Sequence, residues 1–498
     1  MKPFMARVNS SQEDSPNRSE DRGGDHGCGK RARRVGCVKM VLVALVCLSA
    51  MLMVAPAAAQ IAAEAKNVVL IAHHNLNGNG DGGEGLALQQ RPDGRRLLFL
   101  AHEAPKNCIS VVDVTRPESP VLINTIPSPN PGITRCDSLS LSGNLLAVAN
   151  QTNQVGQKSA GMWVLDVSDF NRIQQAKSLQ DLALSFFDAS GPHSRGAHCL
   201  WFVDGEFAHL TTGMSDFNPS NPLDDQFYVI VDLRDPRHPR EVGRWWYPGT
   251  SQGDRCLPGC LPERHKLDDG YRPHNIEVWP ERPDRAYLGY IDGGAIILDI
   301  SGLADVKAGR AQSFTPKLVG SAKFSPPYTA WSHTFQPVFS RGMAFVSDEA
   351  VMDNCQDAPK LVWLLDIRAE SNPMVIDTAP LHANDGELCK RGGRFGAHNL
   401  HPNYPGSTSA RLKNTTVASW FNGGVRIFHI VDGPAGVPAA PPHLEEIGYY
   451  IPAGLPGNPG GAAQINHALV DEKGLIYAND RFTGGLYVLK YTGSVPLD

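Results

Sequence analysis

Five stretches of the chain put an imidazole in one local setting: His198-Cys-Leu, His274-Asn-Ile, His333-Thr-Phe, His398-Asn-Leu and His467-Ala-Leu. Asp137-Ser-Leu takes the same place earlier, and Glu84-Gly-Leu, or Leu86-Ala-Leu on a shifted alignment, earlier still. Imidazole is a ligand for copper, iron, zinc and nickel, and a carboxylate adds an oxygen donor or a base. If the slots converge, they offer a transition-metal site (Cu, Fe or Zn). His198, His274, His333, His398 and His467 would be its ligands, and Asp137 and Glu84 its oxygen donor or catalytic base. If they do not, each imidazole hydrogen-bonds within its own repeat and ties a loop to a neighbouring strand. Both readings stand at this level. In a strand, residues i and i+2 share a face, so the apolar residue two beyond each histidine would draw both into the packing between sheets. The same rule sends His401, three after His398, to the opposite face unless Pro402 bends the chain.

A repeat must position these residues. An apolar strand ending in Asp occurs as "ISVVDV", "MWVLDV", "FYVIVDL", "AIILDI" and "LVWLLDI", with weaker copies "VRIFHIV" and "LYVLKY". The slot holds Asp113, Asp166, Asp232, Asp299 and Asp366, then His429 and Lys490, about 60 residues apart, a spacing that fits four short strands and their turns. The Asp is expected to accept backbone amides in the turn after the third strand. Each copy adds two strands before this one and a fourth after it. The expectation is an all-β fold, a seven-bladed β-propeller of four-stranded antiparallel blades over residues 60–498. Seven radial sheets cover one another's apolar faces, which a lone sheet cannot do. A pair of β-sandwiches is the alternative, and the regular spacing argues against it. In a propeller the first strand of each blade lines the central channel, so a repeated slot becomes a circle around the axis.

Composition sets outer bounds. Hydrophobic content is 42%, charge 19%, and 49 Gly with 38 Pro suit many strands joined by turns. A net charge of -5 gives no reason to expect nucleic acid. Residues 1–59 read as a polar lead and a secretory signal: "KRARRVGCVK", an apolar run, then Ala57-Ala58-Ala59 before Gln60, with cleavage after Ala59. The start codon itself is open, with Met5 and Met40 as candidates. Cleavage predicts a secreted or periplasmic protein with no membrane span in the mature chain; an uncleaved membrane anchor is the alternative. Export permits disulfides. The expected pairs are Cys256–Cys260, Cys355–Cys389 and Cys108–Cys136, leaving Cys199 a buried free thiol.

The stretches "LVWLLDIRAESNPMVI", "RFGAHNLHPNYPGS", "FNGGVRIFHI" and "GLIYANDRFTGGLYVLKYTG" resemble the LVIVD-repeat proteins, bacterial β-propellers. The likeness runs from about Asn67 to Tyr491. It implies the fold and little about activity. A more distant similarity to selenium-binding proteins and methanethiol oxidases rests on "GGLYVLKY"; it implies propellers with functional histidines, and no residue is carried over.

Long insertions near residues 151, 212, 248 and 348 fall at the same mouth as the histidine slots, bringing Asp348, Glu349, His265, Trp331 and Tyr271. Loops of that length are commonly lids or binding loops. Nothing matches a Ser-His-Asp elbow, a P-loop or a dinucleotide fingerprint. The leading expectation is an oxidoreductase or metal-assisted hydrolase acting on a small-molecule ligand at the loop-rich face. The rival is a non-catalytic cell-envelope scaffold that binds a protein partner or glycan there.

Overall fold

The computed structural model describes residues 61–254, 269–325, 327–329, 331–379, 385–433 and 440–498. The lead and signal segment, the Cys256–Cys260 pairing and His265 lie outside the described residues.

The period-two apolar runs form strands, and those strands pair into seven antiparallel sheets. Blades 1 to 5 follow chain order. Their innermost strands are Gly82–Gln90, Leu139–Ser142, Ala197–Trp201, Pro273–Trp279 and Ser332–Val338. In blade 6 an irregular segment replaces that strand: His398 and His401 donate backbone N–H bonds to Ser419 and Val417 of the strand Thr415–Ser419. Blade 7 begins at Ile465–Val470. The sheets bury apolar side chains between blades, as where Ala147, Met162 and Val164 of blade 2 meet Ala208, Leu210 and Val229 of blade 3.

The repeat Asp has the turn-capping role expected of it. Asp113, Asp166, Asp232, Asp299 and Asp366 accept the N–H two residues on, from Thr115, Ser168, Arg234, Ser301 and Arg368, at 2.8–3.0 Å. This satisfies the backbone as the chain turns toward the fourth strand.

Two features depart from seven equal, contiguous copies. The outermost strand of blade 7 is Val68–His74, which pairs with Leu486–Tyr491. Glu64–Lys66 pairs with Tyr449–Ile451 at the outer edge of blade 6. One stretch near the start of the described chain therefore completes the last two blades. The second departure is the segment 402–413, inserted after the inner segment of blade 6. Its Tyr404 packs 5.2 Å from Trp201 of blade 3, Thr408 donates to the Leu88 carbonyl of blade 1, and Ser409 bridges Asp471 of blade 7. Arg411 lies over Trp279 of blade 4. A segment rooted in blade 6 that touches blades 1, 3, 4 and 7 must cross the axis, so it closes that end of the channel.

Two of the expected disulfides form, Cys108–Cys136 between blades 1 and 2 and Cys355–Cys389 between the insertion of blade 5 and a short helix, Asp385–Cys389. Cys199 is free and buried. Among the described residues no helix is long and apolar enough to cross a membrane.

Candidate metal centre

Strict alternation would put the slot residues and the apolar residues two beyond them on one face. The inner strands avoid this with register shifts at the slot: Gly82/Leu86, Ala197/Leu200, Pro273/Ile276, Ser332/Thr334 and Ile465/His467. A bulge re-aims a side chain locally. Glu84, His198, His274 and His333 lie inside these shifts and turn to the axis, while the following apolar residues stay in the core. In blade 7 the residue inside the shift is Asn466, and His467 sits at its edge.

The four imidazoles of blades 3 to 6 form a contiguous arc. Ring centroids are 4.4 Å apart for His198–His274, 3.9 Å for His274–His333 and 4.5 Å for His333–His398. Each Nδ1 has an oxygen partner. His198 meets Gln151 Oε1 at 3.1 Å, His274 meets Asn275 Oδ1 at 3.2 Å, His333 meets Thr334 Oγ1 at 2.8 Å, and His398 meets the Asn466 carbonyl at 2.8 Å. The amide oxygens of Gln151, Asn275 and Asn466 are pure acceptors, which assigns the proton to Nδ1 of His198, His274 and His398 and leaves their Nε2 lone pairs free, the arrangement of metal-ligating histidines. The Thr334 hydroxyl can donate to His333 Nδ1, whose Nε2 then donates to the Glu84 carboxylate. The Nε2 atoms converge: His198 and His274 face each other at 2.9 Å, and His333 Nε2 lies 3.1 Å from Glu84 Oε2. His398 Nε2 lies 3.4 Å from Glu84 Oε1, and His274 Nε2 3.5 Å from Glu349 Oε2. Cys199 Sγ adds a soft donor 3.6 Å from His274 Nδ1 and 3.7 Å from Glu84. The next blade packs close: a Cβ at Gly289 would collide with the His333 carbonyl.

Burial disfavours the charged form of His198, His274 and His333. It pulls His274 down to about 4, takes His198 well below the ordinary imidazole value, and lowers His333. For the Glu84 carboxyl, burial works upward and the facing imidazoles outweigh it, so the group is held well below its usual range. Glu349 is also lowered: burial raises it, and His398 and Arg394 outweigh that. Asp137 behaves oppositely. Burial first, then the Glu103 charge, push its carboxyl well above the ordinary range. The Cys199 thiol is likewise pushed up by burial.

Donor atoms within 4.8 Å of one another group as Glu84, His198, Cys199, His274; as Glu84, His333, His398; as His274, His333, Glu349; and as Glu84, Glu103, Asp137. The structure thus brings together four of the five histidines expected as ligands, with Glu84 at their centre. Asp137 stands to one side, 3.4 Å from His198 Nδ1. His467 stands outside these groupings. Its Nδ1 is buried without a partner, and it lines a small lower chamber with Glu84, Cys199 and Tyr404. His401 is structural: Nδ1 accepts from Val470 N–H and Nε2 donates to the Ala410 carbonyl. Of the loop residues singled out from sequence, Glu349 and Trp331 reach the axial cavity. Asp348 turns away to accept from Leu361 N–H and Trp363 Nε1, and Tyr271 packs on Tyr247. Sequence reasoning missed the arginines of the mouth. Arg135, Arg195, Arg272 and Arg394 sit two to four residues ahead of the slots, and Arg481 follows the second strand of blade 7. With Glu103 they wall a cavity of about 250 Å³ above the imidazoles.

No family model and no curated protein matches the chain. Among solved structures it is similar to the β-propeller domain of Cps50 (Swd1) from Myceliophteria thermophila, at 15% identity and TM-score 0.45, covering 82% of this chain and 96% of that one. It is also similar to the WD40 β-propeller domain of Doa1, at 10% identity and TM-score 0.45, covering 87% and 97%. The propeller assignment rests on the chain's own strand pairings.

Proposed function

We propose that the axial cluster binds a transition metal, Cu, Fe or Zn, and serves oxidoreductase or metal-assisted hydrolase chemistry on a small molecule in an exported protein. One observation carries this reading: four imidazoles from four blades have Nδ1 tied to oxygen and Nε2 turned inward around one carboxylate. Two neutral Nε2 atoms 2.9 Å apart oppose their lone pairs unless a proton or cation sits between them. Around an ion held at about 2.0–2.1 Å, neighbouring nitrogens lie roughly 3 Å apart. A purely structural histidine would instead spend both nitrogens on its own surroundings, as His401 does.

His198, His274 and Glu84 with Cys199, or His333, His398 and Glu84, would hold the ion, and Glu349 lies within reach of His274 and His333. The ion would supply Lewis acidity or, for copper and iron, an electron. The protein's own residues do the rest. Gln151, Asn275, Thr334 and the Asn466 carbonyl fix the rings, Asp137 lies beside His198 at the cavity edge, and burial excludes bulk water. The two disulfides support an oxidising compartment and hence export.

The test is metal analysis of the full chain purified from the periplasm. About one ion per chain is expected, lost in His274→Ala, His398→Ala and Glu84→Gln. Protein that carries no metal, with those variants merely less stable, would establish the non-catalytic scaffold instead.

A further inference from the structure

The inner strands of blades 3 and 4 carry His198 and His274 near their starts and end at Trp201 and Trp279. A second pocket, of about 160 Å³, lies at those far ends. The two indole rings, 5.3 Å apart and tilted at 51°, line it together with Phe207, Pro280 and Pro283. Both indole N–H groups are spent, Trp201 on the Val278 carbonyl at 2.7 Å and Trp279 on Glu277 at 3.1 Å. The charged groups at the rim are paired as well. Lys307 donates to Glu206, and Asp204 accepts the N–H groups of Glu206 and Phe207 at 2.8 and 2.9 Å.

One buried imidazole breaks this apolar lining. His209 lies two residues beyond Phe207, the strand partner of the repeat Asp232. The same position in the other six blades holds Phe99, Ala147, Tyr287, Phe345, Val417 and Tyr477. The two tyrosine hydroxyls among them are paired, with Glu370 and Asp471. His209 is only half paired. The ring is 2% exposed and lines the pocket; its Nδ1 meets the Tyr228 hydroxyl at 2.7 Å, and its Nε2 makes no hydrogen bond among the described residues. The buried Tyr228 hydroxyl has no other partner there either, so it donates to Nδ1 and the ring proton sits on Nε2. Burial takes the ring down to about 3, so it is uncharged at neutral pH. The pocket therefore combines aromatic walls with one idle N–H donor.

We propose that this pocket is a second binding site, independent of the axial centre, for a small neutral aromatic molecule with one acceptor oxygen, such as an aryl ketone or aldehyde. The ring packs against Trp201, Trp279 and Phe207, and the oxygen accepts from His209 Nε2. Indole and phenyl faces favour a ring partner in offset or edge-to-face contact. An apolar cavity of about 150 Å³ is enough to hold benzene, so one ring with a carbonyl matches the space. Pairing of the rim charges leaves nothing to neutralise an ionic ligand, whose desolvation costs far more than that of a carbonyl. An adjoining groove of about 340 Å³ shares Phe207, Pro283 and Lys307 with the pocket and provides the way in.

Calorimetric titration of the full chain with acetophenone, α-methylstyrene and benzoate tests this, before and after treatment with a chelator. α-Methylstyrene has the shape of acetophenone without its oxygen. Acetophenone should bind most tightly, α-methylstyrene severalfold more weakly and benzoate not at all, with the same affinities in both preparations. His209→Phe should weaken acetophenone by about tenfold and leave α-methylstyrene unharmed, reversing their order. Pro280→Trp, at an exposed position on the rim, should occlude the pocket and abolish binding of both, and it keeps the test open if the first variant does not fold. No binding of acetophenone would overturn the proposal. So would benzoate binding as tightly, binding that chelation removes, or affinities that neither variant changes.

Discussion

His401 shows how a single backbone donor fixes a protonation state. Its Nδ1 accepts the Val470 N–H at 3.1 Å and its Nε2 donates to the Ala410 carbonyl at 3.0 Å, so no nitrogen is left for a second proton. Burial, with a smaller contribution from Arg411, takes the ring down to about 4. The unfolded ring titrates near 6.5. The stability it contributes is therefore complete above that value and is lost as pH falls toward 4, with the unfolded chain binding the proton first. The slope is about 1.4 kcal/mol per pH unit for one such proton. Urea midpoints measured between pH 7 and 4.5 should fall for the wild type and fall less steeply for His401→Gln. Parallel slopes would show that His401 takes no part in acid lability. Only three residues separate it from His398, yet one ring is spent on structure and the other turns a nitrogen to the axis.

At the scale of elements, the strands were legible because an apolar run ending in Asp has one geometric use here, the turn-closing hydrogen bond. The recurrence of the imidazole was legible too. Its direction was not, since alternation predicts the wrong face and only the bulges in the inner strands reverse it. His467 reads in sequence like the other four, but the register shift of blade 7 falls on Asn466. The arginines escaped notice because their distance from the slot varies, from Arg272-Pro-His274 to Arg394-Phe-Gly-Ala-His398. The disulfide Cys108–Cys136 joins the strand Asn107–Asp113 to the segment bearing Arg135 and Asp137, across 28 residues of sequence. Closing a loop of that length stabilises by about 3.5 kcal/mol in the chain-entropy account. Cys108→Ala/Cys136→Ala should lose stability of that order in chemical denaturation and show faster amide exchange at residues 134–138. Unchanged exchange there would mean that strand pairing alone holds the mouth on that side.

For the whole molecule, closure depends on Glu64–Lys66 and Val68–His74 covering the outer edges of blades 6 and 7. A chain trimmed to begin at Asn75 leaves Leu486–Tyr491 as an open edge, a template for pairing with another copy. Such a variant should melt lower by about 5 °C or more and elute as dimers or larger species in size-exclusion chromatography. A monomer of unchanged melting temperature would show that the two strands are dispensable. The segment 402–413 has a different consequence. Because it stops the far end of the channel, whatever arrives must leave by the way it came. If the centre turns over a substrate, the spent molecule blocks the next one until it departs. Release would then govern throughput, and a product resembling its precursor would compete for the same doorway.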